Sequence, residues 1–192
     1  VTIIAEAGVN HNGDINIAKQ LIEAAAEADV DYIKFQMFNP EKLVTPHAEL
    51  ASYQADKKNR FVTQLDMLRN LRLSYSMYEE ILLYCKNSGL SCFATGFSVG
   101  DIISLNRLGQ KLFKIPSGEI TNLPFLRHVA RIGKPMIVST GMSYLSEVEE
   151  AVRVIEAEQN RNYVLLQCTS NYPADPADAN LAAMATMALA FG

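Results

Sequence analysis

Two lysines of this sequence stand inside apolar runs, Lys34 within Tyr32–Met37 and Lys114 within Lys111–Ser117. Burying an unpaired ammonium is costly. Neither lysine has an acidic neighbour in sequence, so an anion shared by both is their expected partner. Other apolar runs also end in polar groups: Glu6, then Asn10 and His11; Gln36; Thr95 and Ser98; Ser117 and Glu119; Ser139 and Thr140; Thr169, Ser170, Asn171 and Tyr172. The two ammonium groups with Thr95 suit a carboxylate. Ser117, Ser139 and backbone amides near Gly118 and Gly141 suit a phosphate, because small residues let the backbone approach its oxygens. A small molecule bearing both anions, such as phosphoenolpyruvate, would engage all of these groups. Glu6 and Glu119 then remain for proton transfer or for sugar hydroxyls. Taken singly, each serine also fits a turn and each glutamate a surface or ion-pairing role. The set, more than any member, points to a site.

Positioning that set falls to six short apolar runs, each followed by a segment of helical character. They are Thr2–Gly8, Tyr32–Met37, Ser91–Phe97, Lys111–Ser117, Met136–Thr140 and Tyr163–Thr169. Several are continuous rather than alternating, as expected of parallel strands covered by helices on both faces. Asp14 precedes a helix with Ile17, Leu21, Ile22 and Ala25 on one face. Ser76 with Glu79, and Ser146 with Glu149, have the spacing of a capping box. Pro124 after Asn122 fits a first helical turn, and Asn180 is the expected cap of a final Ala/Met-rich helix. Strand–helix alternation makes the fold α/β with parallel strands. The first turn, Gly8-Val-Asn-His-Asn-Gly13, lacks a dinucleotide fingerprint, which favours a (β/α)₈ barrel over an open doubly wound sheet. In a barrel, all the strand ends above share one mouth, where such enzymes place their chemistry. Six βα units fall two short of closure, so residues 1–192 read as the N-terminal part of a TIM-barrel catalytic domain. The absent initiator Met fits that reading. The one long irregular stretch is Asn39–Arg60, and a loop of that size is more often functional than idle.

Bulk properties exclude several classes. A net charge of -4 over 192 residues argues against a nucleic-acid binder. No apolar run reaches the roughly 18 residues of a membrane span, and no signal-peptide pattern opens the chain. Cys85, Cys92 and Cys168 make an odd count without metal-ligand spacing, the usage of a reduced cytoplasmic protein.

Ala5-Glu6-Ala7-Gly8-Val9-Asn10-His11-Asn12-Gly13, Lys34-Phe35-Gln36, Lys114-Ile115-Pro116-Ser117-Gly118-Glu119 and Ser139-Thr140-Gly141-Met142 resemble signature segments of bacterial sialic acid synthases. Gln167-Cys168-Thr169-Ser170-Asn171-Tyr172-Pro173 resembles that family's sixth-strand motif. The segments keep the family's order, and the resemblance runs from Ile3 to Gly192. It implies a metal-dependent condensation of phosphoenolpyruvate with the open-chain aldehyde of N-acetylmannosamine or a related 2-acetamido sugar, releasing phosphate. By position, the resemblance implies that Lys34, Thr95 and Lys114 hold the carboxylate, and that Ser117, Ser139 and Ser170 hold the phosphate. Gln36, Glu119 and Tyr172 would meet the sugar, with Glu6 beside the reacting carbons. It further implies a cytoplasmic homodimer when the protein is full length, with no nucleic-acid or membrane partner.

Departures from the family pattern carry expectations of their own. Ala94-Thr95-Gly96-Phe97 stands where members often read Ser-Thr-Pro-Phe, which predicts a looser loop. Position 170 is Ser where some members have Asn. The family's divalent ion, Mn²⁺ or Mg²⁺, is bound by histidines of the seventh and eighth strands, so its ligands are expected outside this chain. The antifreeze-like C-terminal domain is expected outside it too, and residues 1–192 alone are expected to be inactive. His47 and His128 read as solvated, while His11 could line the pocket. Gly-Val-Asn-His and Lys-Phe-Gln differ from the pseudaminic branch's Leu-Ser-Ala-Asn-His and Lys-Leu-Gln, leaving the neuraminate and legionaminate branches open. Two rival functions are a condensing barrel that uses a phosphorylated sugar, and a non-catalytic sugar- or phosphate-binding fragment. The first would want extra basic residues at the strand ends, which the sequence does not show.

Overall fold

The computed structural model describes residues 1–50, 63–171 and 173–192. The chain divides into two compact units, Val1–Leu108 and Gly109–Gly192. Each is a parallel sheet with helices following its strands.

In the first unit, β1 (Ile4–Gly8) pairs with β2 (Tyr32–Met37), which pairs with β3 (Ser91–Gly96), both parallel. The register sets Glu6 opposite Lys34 and then slips, so that Gly8 meets Phe35. Between β2 and β3, Gln36 lies opposite Thr95. Alternation along β2 buries Ile33, Phe35 and Met37 on one face and leaves Lys34 and Gln36 on the other. Helix α1 (Ile15–Glu27) buries Ala18, Ile22 and Ala25, the spacing of one helical face. Its cap is Asp14, whose carboxylate accepts the Asn16 amide at 2.7 Å. Ile17 and Leu21 sit only part-buried beside that face.

After β2 come α2 (Pro40–Leu43), α3 (Gln64–Leu71) and α4 (Tyr75–Asn87). The stretch expected to be irregular from Asn39 therefore opens with a short helix capped by Asn39, and its part from residue 51 lies outside the described residues. The cap of α4 is Ser74 rather than Ser76: its hydroxyl accepts the Met77 amide at 3.1 Å. Leu73 and Tyr78, both buried, hold the two positions of a hydrophobic staple around that cap. This pins the helix start two residues early. Helix α5 (Val99–Arg107) follows β3, and the connection is tight where looseness was expected. Asp101 accepts from Ser98 Oγ and the Phe97 amide, Phe97 packs edge-on against Phe38, and a Cβ on Gly96 would come within 3.0 Å of Ile102.

In the second unit, β4 (Phe113–Ile115), β5 (Met136–Ser139) and β6 (Tyr163–Leu166) pair in that order, again parallel. All three residues of β4 are buried, whereas Val164 of β6 is 57% exposed. Burial on both faces thus holds for β4 and not for β6. Asn122 caps α6 (Leu123–Ala130), with Pro124 in its first turn. Helix α7 (Leu145–Ala157) starts before the expected Ser146: Glu147 reaches back to accept the Tyr144 amide at 2.7 Å. Helix α8 (Ala183–Phe191) begins three residues past Asn180, whose side chain makes no cap. Among the described residues no helix is long and apolar enough to cross a membrane.

Candidate functional site

Four of the predicted residues come together in the first unit. Facing each other across the β1–β2 register, Lys34 Nζ and Glu6 Oε2 form an ion pair of 2.5 Å. The lysine side chain is 12% exposed and the glutamate 43%. Lys34 also donates to Thr95 Oγ1 at 3.4 Å, and Thr95 is buried. Gly8 closes this group. Its φ is +53°, and a Cβ there would stand 3.0 Å from Glu6 Oε1 and 3.5 Å from Gln36 Nε2. Glycine at this position therefore leaves room for both polar side chains. Lys34 has no acidic neighbour in sequence, but the expectation that a bound anion is its partner is corrected to include one from its own chain. Glu6 supplies the counter-charge through a pairing that only strand register reveals. An incoming carboxylate would share Lys34 with Glu6. The Thr95 hydroxyl, already accepting from the ammonium, would have its proton to donate.

His11, at the turn after β1, is wholly buried against Phe35. Its Nδ1 accepts the Gly13 amide at 3.0 Å, which leaves the proton on Nε2, and that atom has no partner among the described residues. Burial lowers the imidazole's affinity for a second proton below its usual range. The residue secures a turn in which Asn12 and Gly13 both take positive φ.

The second unit holds a cluster of hydroxyls around one glycine. The Gly141 amide donates to Ser117 Oγ at 3.0 Å. A Cβ on Gly141 would lie 2.5 Å from Ser170 Oγ and 2.8 Å from Ser117 Oγ, contacts no real Cβ makes. A Cβ on Gly118 would meet nothing within 4 Å, so close approach explains one glycine and not the other. Ser139, at the end of β5 and 4% exposed, accepts from Cys168 Sγ at 3.1 Å. Lys114 is nearly buried and donates to the Ile115 carbonyl at 2.9 Å. Glu119, in the turn after β4, accepts from Asn122 Nδ2 at 2.7 Å. A cleft of about 810 Å³ is lined by Thr140, Tyr144, Cys168, Ser170, Asn180 and Met187. Sequence reasoning missed Tyr144 and Cys168, the first because nothing marked the α7 start as polar lining, the second because cysteine usage suggested only a quiet thiol. Tyr172 lies outside the described residues. Among the described residues no three His, Cys, Asp or Glu side chains converge as metal ligands.

Residues 21–192 match the NeuB family. Similar curated proteins include N,N'-diacetyllegionaminic acid synthase of Campylobacter jejuni subsp. jejuni serotype O:2, 44% identical over 191 residues, 98% of this chain and 57% of that protein. The N,N'-diacetyllegionaminic acid synthase of Legionella pneumophila is 45% identical over 190 residues, 97% of this chain and 53% of its own length. Among solved structures, the N-acetylneuraminic acid (sialic acid) synthetase from Leptospira borgpetersenii serovar Hardjo-bovis, in complex with citrate, superposes with a TM-score of 0.86. It shares 31% identity over 100% of this chain and 62% of that one. The chain thus spans a little over half the length of the curated relatives named here.

Proposed function

The chain belongs to the NeuB family, and from that premise we propose that its protein condenses phosphoenolpyruvate with the open-chain aldehyde of a 2-acetamido sugar. The observation that carries the proposal is the cradle at Gly141, where one amide and the hydroxyls of Ser117 and Ser170 crowd a position too tight for any side chain. Such a cradle suits phosphate. In this reading Ser117, Ser139 and Ser170 hold the phosphate, while Lys34, Thr95 and Lys114 hold the carboxylate. Gln36, Glu119 and Tyr172 meet the sugar. C3 of phosphoenolpyruvate forms the new bond to the aldehyde carbon, whose oxygen takes up a proton. Water then adds at C2 and loses a proton. The C2–O bond to phosphate breaks as the new C2 hydroxyl gives up its remaining proton, leaving a 2-keto acid and inorganic phosphate. Glu6 and Glu119 are the carboxylates proposed to move the protons. The legionaminate synthases above favour an acceptor leading to an N,N'-diacetyllegionaminic acid.

The likeness to the solved synthetase supports reading these strand–helix units as part of a barrel catalytic domain; remaining strands and a further C-terminal domain outside residues 1–192 belong to the same proposal. The divalent ion implied by the family finds no ligand set among the described residues. We propose that its ligands lie outside residues 1–192. Cytoplasmic location and a homodimer belong to the same proposal.

Phosphate release by the full-length protein, supplied with phosphoenolpyruvate and a panel of aldehydes, tests the reading. Release is expected with 2-acetamido sugars. Release only with arabinose 5-phosphate or erythrose 4-phosphate would establish the phosphorylated-sugar rival, and binding without release under any acceptor would establish a non-catalytic role.

A further inference from the structure

We propose that Cys168 is a positioning residue, one that sets the rotation of the Ser139 hydroxyl so that its proton faces the substrate phosphate. The inference rests on the reading of Ser117, Ser139 and Ser170 as the phosphate cradle. Ser139 closes β5, and its environment leaves the hydroxyl little contact with solvent. Cys168 stands two residues beyond β6, across the β5–β6 pairing, with its Sγ 3.1 Å from Ser139 Oγ. A hydroxyl carries one proton and two lone pairs, whereas a thiol is weak both as donor and as acceptor, and here Cys168 is the donor. The thiol proton therefore occupies one Ser139 lone pair without competing for the serine's own proton. No described residue accepts that proton. It is left for an anion.

The main chain ties residue 168 to the same place. Its carbonyl oxygen lies 3.3 Å from where a Gly141 Cβ would sit, against 2.5 Å and 2.8 Å for the hydroxyls of Ser170 and Ser117. Residue 168 thus borders the Gly141 cradle with its carbonyl and holds the Ser139 hydroxyl with its side chain. A methyl group at this position would keep the packing and lose the donor. A hydroxyl would restore a donor.

The test is a double-substitution cycle in the full-length protein, reading phosphoenolpyruvate affinity by calorimetry together with kcat and KM. Cys168→Ala is expected to weaken binding roughly three- to tenfold through KM with kcat little changed, the loss of one hydrogen bond's orienting effect. Cys168→Ser is expected to recover most of that loss. Ser139→Ala is expected to weaken binding at least as much, and the double variant to be no worse than Ser139→Ala, because residues acting through one contact are not additive. Additive losses, or a Cys168→Ala protein that binds as the parent does, would overturn the positioning role while leaving the cradle standing. If Ser139→Ala and Ser117→Ala both bind phosphoenolpyruvate normally, the cradle itself is wrong and this inference falls with it. Melting temperatures separate a packing effect: if Cys168→Ser and Cys168→Ala are equally destabilised and equally weak, the thiol fills space and orients nothing.

Discussion

Gly141 and Gly118 look alike in the sequence, each within two residues of a serine of the candidate site, and the structure gives them different jobs. A methyl group on Gly141 must displace Ser117 or Ser170 or move the backbone, whereas one on Gly118 enters open space. Gly141→Ala is therefore expected to weaken phosphoenolpyruvate binding by roughly tenfold or more, as overpacking of about 1–3 kcal/mol implies, and Gly118→Ala by less than about twofold. Isothermal titration of both variants checks the contrast; equal effects would remove the steric argument. His11 supports a second prediction, from protonation. Its folded-state affinity for a proton is lowered by burial, so below the unfolded imidazole's usual range the unfolded chain takes up a proton that the folded chain refuses. Its contribution is thus fully present above about pH 6.5 and is lost as pH falls toward the lower folded value, by at most about 1.4 kcal/mol per pH unit. Denaturation midpoints between pH 7.5 and 5.5 should fall less in His11→Asn than in the parent; parallel curves would contradict this. Residue types at the strand ends were legible because lysine or threonine in an apolar run is conspicuous. The Glu6–Lys34 pair was not legible, because sequence spacing holds no information on which residues of two parallel strands stand opposite.

Elements were read more reliably than their ends. All six runs are strands, since continuous apolar stretches bounded by helical segments admit few other structures. Helix starts were misread where two candidate caps lie close together. Ser74 and Ser76 both precede the apolar face of α4, and the acidic residue three beyond Ser76 favoured the wrong one. Tertiary burial of Leu73 and Tyr78 decided the matter. Ser74→Ala should accordingly cost about 1 kcal/mol of stability, the usual worth of a lost cap, and Ser76→Ala only a few tenths. Chemical denaturation of the two variants distinguishes them, and a reversed order would return the cap to Ser76.

The whole chain offers one more expectation. β6 pairs only with β5 among the described strands, and Leu181, Met184 and Leu189 near and along α8 are exposed, Leu189 at 91%. Apolar surface and an unpaired strand edge of this kind invite association. Residues 1–192 expressed alone are therefore expected to self-associate in light scattering. They are also expected to release little phosphate from phosphoenolpyruvate and N-acetylmannosamine with Mn²⁺, compared with the full-length protein. Matching turnover would show that the chemistry is complete without further strands. Strand–helix alternation counts units and is silent on closure, so the barrel reading leaned on the missing dinucleotide fingerprint and on the family resemblance.

The ion pair between β1 and β2 also bears on how this sequence could change over generations. Lys34 is 12% exposed with Glu6 as its counter-charge, so a lineage that loses the glutamate first leaves a nearly buried ammonium without that charge, and one that loses the lysine first leaves Glu6 without its ion-pair partner. Either single step is penalised. The two positions should therefore be inherited as one character, retained together or abandoned together, although 28 residues separate them in the chain.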